Sequence, residues 1–137
     1  MIFRFSDRAP RDGLSAPSYI KPAWLILTIV IATLIGILTL MPAHVLPRGL
    51  WGSDKLAHLL AFLALVFPTA VLWPRVSAMV GVLAVAYGGA IEIIQPFTGR
   101  SADLADLVAD GTGIGLGIIL GSSLRRFLTA RRTARAR

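Results

Sequence analysis

Five of the seven acidic residues in this chain, Asp54, Glu92, Asp103, Asp106 and Asp110, lie at the rims of apolar segments or inside them. A carboxylate at the centre of a membrane helix costs roughly 2.5–3.5 kcal/mol on insertion scales. Such groups persist where they face a bundle interior or a wet cavity, which makes them candidates for a site. Lys55, His58, Gln95 and Arg100 stand in the same short windows of sequence. Three chemistries are open to this set. Lys55, His58 and Arg100 can meet a lipid headgroup, with the carboxylates holding the cations or accepting hydroxyls. His58 and Glu92 can form an acid–base pair for hydrolysis or group transfer, with Asp106 beside them. His58, Glu92, Asp103 and Asp106 offer imidazole and hard oxygen ligands suited to Mg, Mn or Zn. Clustered carboxylates need a cation or protons, because like charges at short range cannot all ionise. A fourth reading is a structural ion-pair network that fixes helix register without catalysis. No Ser nucleophile has a clear partner; Ser53 and Ser101 only flank the layer.

The segments that carry these residues are apolar. The chain has 137 residues, 55% of them hydrophobic and 15% charged, with a mean hydropathy of +0.74. Soluble domains of this size are rarely so apolar. The absence of cysteine excludes a disulfide framework and thiolate metal ligands. Four apolar stretches, at 22–40, 56–73, 76–97 and 104–124, each have about the length a helix needs to cross a bilayer. Pro42, Pro47, Pro74, Pro96 and Gly99 punctuate them. The first stretch exceeds the usual ~7–15 apolar residues of a signal peptide and reads as a retained helix. The expected fold is therefore an all-α, four-helix polytopic membrane protein. A basic segment at 1–21 precedes the bundle at 22–124, and an Arg-rich tail follows at 125–137.

The net charge of +7 would point to nucleic acid in a soluble protein. Here the basic residues lie mostly at the ends. With both termini cytoplasmic, eleven Lys and Arg fall inside and only Arg48, Lys55 and Arg100 outside. The tail then reads as an orientation signal, with anionic lipid headgroups as a second use. This topology brings the start of the second helix, the end of the third and the start of the fourth to the outer face. His58, Glu92, Asp106 and Asp110 fall roughly 3–9 Å below that rim at ~1.5 Å per residue.

At about 100° per residue, Asp103, Asp106, Asp110, Gly113, Gly117 and Gly121 share one stripe. Gly81, Ala84, Gly88, Glu92 and Gln95 share another, and His58, Ala61, Leu65 and Leu72 a third. The acids thus continue into seams of small residues, which let membrane helices approach closely; Gly113 and Gly117 are expected at the packing face. The glycines at 111, 113, 115 and 117 are not a nucleotide loop, since their order is wrong and no strand precedes them. Taken singly, Asp54 and Lys55 read as a solvated turn or a helix N-cap and Arg100 as a neutraliser of Asp103. Together the set predicts a pocket in which His58 approaches Glu92 and Arg100 reaches a carboxylate of the fourth helix.

The spacing Asp54-Lys55-x-x-His58, then Glu92-x-x-Gln95, then Arg100-x-x-Asp103-x-x-Asp106-x-x-x-Asp110-x-x-Gly113 resembles the VanZ-like membrane protein family. The likeness runs from about Trp51 to Gly121. It implies a small polytopic protein of the bacterial inner membrane and cell envelope. The family is named for an accessory protein of resistance to the glycopeptide teicoplanin, and the likeness sets no reaction. Asp110 stands where the family often has Asn, which adds a carboxylate to the layer. The implied partners are membrane lipids or a lipid-linked envelope precursor, not nucleic acid.

Overall fold

The computed structural model describes residues 20–42 and 54–135, so the expected basic segment at 1–21 and Arg48 lie outside the described residues, apart from the first turn of the first helix. Among the described residues there are four α-helices: α1 (Ile20–Leu40), α2 (Asp54–Leu72), α3 (Pro74–Ile94) and α4 (Leu104–Arg135). All four are long and apolar enough to cross a membrane.

The boundaries follow local chemistry. Trp73 alone separates α2 from α3, and Pro74 opens α3, where its missing N–H costs nothing. A 3₁₀ turn, Gln95–Thr98, extends α3, and Gly99 closes it at φ 77°. That left-handed backbone suits glycine and lets the chain reverse within five residues toward α4. At the other end, Arg125 donates from one guanidinium nitrogen to the carbonyls of Val71 and Leu72, each at 3.0 Å. These are the last carbonyls of α2, which no residue of that helix can satisfy. Helix α4 runs on through Arg135, so the Arg-rich stretch is helical as far as that residue. Its 32 residues span about 48 Å against ~30 Å of hydrocarbon.

The core belongs to α2, α3 and α4. Gly113, Gly117 and Gly121 lie against the backbone carbonyl oxygens of Leu59, Leu63 and Phe67, each set spaced by four residues. A Cβ on any of the three would strike α2: at Gly117, Leu63 oxygen at 2.8 Å and Val66 Cγ2 at 2.6 Å. The two backbones thus touch along a straight seam, as small-xxx-small packing allows. Gly81 meets Ile114 and Ile118, which sets α3 on α4. On α2 the buried face is His58, Phe62, Leu65, Val66, Thr69 and Ala70. It is turned slightly from the expected stripe, with Phe62 inward while Ala61 and Leu72 are half-buried.

Helix α1 is peripheral. Only Ile35 of its described side chains is fully buried. Polar ties hold it: Trp24 Nε1 donates to Thr69 Oγ1 at 3.0 Å, Tyr87 to Ala32 oxygen at 2.7 Å, and Gln95 to Thr39 oxygen at 3.3 Å. Outside these contacts the bundle presents a wide apolar belt, including Ile26, Val82, Ile93 and Val108, all more than 60% exposed. Apolar surface of that extent is not found on soluble monomers and matches a lipid-facing bundle.

Candidate functional site

The start of α2, the end of α3 and the start of α4 meet at one end of the bundle, and the polar residues collect there. Asp103 is the knot. As N-cap of α4, its Oδ1 accepts the Ala105 N–H at 2.8 Å. Its own N–H donates to Glu92 Oε2 at 2.9 Å, and its Oδ2 accepts from Lys55 Nζ at 2.7 Å. One residue thereby ties α2, α3 and α4. The Lys55 ammonium, then the Ala105 N–H, hold the Asp103 carboxyl below its ordinary range. A lowered folded value means that this contribution is present above the ordinary carboxylate range, near ~4, and is lost as pH falls through the depressed value. Lys55 also reaches Asp106 Oδ1 at 3.3 Å. Arg100 pairs with Asp54 Oδ2 at 2.9 Å.

Beneath this rim lies the buried pair His58 and Asp110, with Nδ1 to Oδ1 at 2.9 Å and side chains 2% and 1% exposed. The glycine seam explains it. Leu59, next to His58, touches Gly113, one turn below Asp110, so the backbones are closest just under the pair. Side chains one step above must then meet head-on. A carboxylate only accepts, so His58 presents Nδ1–H to it; in the neutral ring the lone pair then lies on Nε2. Asp110 Oδ2 lies over Gly88, where even a Cβ would come within 2.6 Å.

Two expected pairings are corrected. His58 bonds Asp110, not Glu92, because Glu92 is engaged by the Asp103 N–H. Arg100 bonds Asp54 on α2, not Asp103 or another α4 carboxylate, because Lys55 already occupies Asp103 and Asp106. Gln95, 1% exposed, turns to α1 and not to the acids. The rest of the expected set falls into three contacting groups at this end of the bundle: Lys55 with Asp103 and Asp106, and through the Asp103 N–H with Glu92; Arg100 with Asp54; and His58 with Asp110.

Among the described residues, four buried side-chain atoms have no partner: His58 Nε2, Glu92 Oε1, Gln95 Oε1 and Asp110 Oδ2. With His58 neutral and the two carboxylates ionised, all four are acceptors. An anion would worsen this interior, whereas a hydroxyl, an ammonium or a metal cation would satisfy it. One ligand atom each from Asp54, His58 and Asp106 lies within 4.8 Å of the others.

Beside this layer, between α1 and α2, is a cavity of about 310 Å³. Ile35, Leu38, Leu60, Ala61 and Phe62 line its apolar part, and Asp54, His58 and Arg100 its polar end. Sequence reasoning missed the apolar part, because α1 is uniformly apolar and gives no sign of which face meets α2.

Four lipid-facing helices with a charged layer at one end and a polar-tipped groove beside it define a small multi-pass membrane protein. The profile of the VanZ/LLP1 family matches residues 19–125, and the chain belongs to that family. No curated protein and no solved structure matches the chain.

Proposed function

We propose that the protein binds an amphiphile of the outer leaflet, an envelope lipid or lipid-linked precursor, with its chain in the α1–α2 groove and its head at the charged layer. The observation that carries this reading is the joint lining of one cavity by aliphatic side chains and by Asp54, His58 and Arg100. An apolar slot ending in convergent polar groups is the common form of a small-molecule site. Helix α1 borders the slot and is lightly packed, which supports entry from the bilayer. Orientation rests on charge: the Arg-rich end of α4 faces the cytoplasm under the positive-inside rule, so the carboxylate-rich end faces out. The association of the family with glycopeptide resistance agrees with an envelope ligand. Acceptor groups in the layer would take hydroxyls of the head, and Arg100 and Lys55 at the rim would meet its phosphate.

Native mass spectrometry of protein extracted in mild detergent tests the binding. The wild type should retain an amphiphile, and Ala61→Trp, which fills the half-buried groove wall, should lose at least about tenfold of it while folding normally. In intact cells, Ser101→Cys should react with an impermeant maleimide and Thr133→Cys should not. Equal retention by Ala61→Trp sinks the groove, and reversed labelling sinks the outward orientation.

A second reading has one observation in its favour. The Asp110–His58 pair leaves Nε2 as a base whose ring is oriented by a carboxylate, the arrangement used for general base catalysis. Turnover of a bound envelope lipid that stops in His58→Gln would establish it.

A further inference from the structure

The charges of the layer do not balance. Among the described residues it holds five carboxylates, Asp54, Glu92, Asp103, Asp106 and Asp110, against two permanent cations, Lys55 and Arg100. Both cations sit at the rim, paired with Asp103, Asp106 and Asp54. Neither is bonded to the orphan atoms, which are acceptors when His58 is neutral and the acids are ionised.

The geometry points to a divalent transition-metal site, of the Mn²⁺ or Zn²⁺ class, formed by Asp54, His58 and Asp106. The three ligand atoms lie within 4.8 Å of one another. Atoms bound at about 2.0–2.2 Å to one metal lie roughly 3–4 Å apart, so side-chain shifts of under about an ångström complete the site. The second observation is His58, which is 2% exposed and keeps a ring nitrogen with no partner. Its Nδ1 is anchored to Asp110, one turn deeper on α4 than Asp106. The opposite nitrogen is then left for the shallower level of Asp106 and of Asp54, which is one turn above His58 on α2. A carboxylate–imidazole–metal chain of this kind fixes the tautomer and the ring plane. The existing ion pairs do not block it, since each engages one oxygen of its carboxylate and the other can bind metal.

Imidazole with two carboxylates suits Mn²⁺ or Zn²⁺ better than Ca²⁺. Three protein ligands leave a coordination position for an oxygen of a ligand head. This last step rests on the amphiphile reading; the metal site itself does not. At such a site the bound cation would hold a phosphate that the acids alone would repel.

The test uses the full-length protein in mild detergent, stripped with EDTA and titrated with MnCl₂ or ZnCl₂. Thermal stability should rise, saturating with a single ion per chain by elemental analysis, and MgCl₂ should raise it less. Asp54→Asn, at an exposed position, and Asp106→Asn should each weaken the apparent metal affinity by about tenfold or more. His58→Gln should do the same. The site is overturned if the wild type takes no ion and shows no shift at millimolar metal, or if Asp54→Asn and His58→Gln respond as the wild type does. A protein that retains an amphiphile but no metal contradicts the cation site alone; metal without amphiphile contradicts the groove alone.

Discussion

Replacing Gly117 by Leu should abolish most folded protein, while Gly115→Leu should leave the yield near that of the wild type. The two positions differ by two residues on one helix but by their neighbours entirely. A Cβ at Gly117 meets the Leu63 carbonyl oxygen at 2.8 Å and Val66 Cγ2 at 2.6 Å, whereas Gly115 has nothing within 4 Å. The obstacle at Gly117 is backbone, which cannot rotate away as a side chain can. Overpacking a tight core costs about 1–3 kcal/mol, and more where backbones must part. Here the parting would also separate Gly113 from Leu59 and Gly121 from Phe67, because the three contacts form one line. Intrinsic propensity works the other way, since Leu is a better helix former than Gly. Folded yield by fluorescence-detected size exclusion decides the matter, and equal tolerance at 115 and 117 would remove the seam.

His58→Ala should destabilise the bundle by about 3 kcal/mol or more, since a buried charged group that loses its hydrogen bond costs more than the ~1–3 kcal/mol of a neutral one. It would leave the Asp110 carboxylate buried with neither oxygen bonded, given that Oδ2 has no partner already. Asp110→Ala should cost less, about 1–3 kcal/mol, since it orphans only a neutral ring N–H. Asp110→Asn should be mildest, because its side-chain oxygen still accepts from His58 Nδ1–H. The double change His58→Ala with Asp110→Leu should recover part of the loss, as removing both partners spares the orphan. Melting temperatures in one detergent measure the series. If all four variants match the wild type, the pair contributes nothing to the fold.

The gathering of the acids was legible in the sequence because helix length and period are local properties. Asp106, Asp110, Gly113 and Gly117 share a stripe at any tilt of the helix. Pairing is not local. It depends on how far α2 and α4 approach, and the close contact of Gly113 with Leu59 brings His58 within hydrogen-bond reach of Asp110. The Arg100 partner was missed for a related reason: Lys55 competes for the same α4 acids, and a linear reading does not rank the two cations. The groove was invisible because residues 22–40 carry no charge to mark an inward face. The continuation of α4 to Arg135 was also hidden. Hydropathy falls where the membrane ends, but Arg, Ala and Leu continue to favour helix.

The central claim, that the groove between α1 and α2 holds an amphiphile by its chain, is tested most directly by site-specific photocrosslinking in living cells. A photoreactive residue at Ala61, in the groove wall, is compared with one at Ile29, which is 55% exposed on α1. The account predicts a discrete adduct of one lipid class at Ala61, and at Ile29 a spread that mirrors bulk membrane lipid. Identical spreads of bulk lipid at both positions would contradict it.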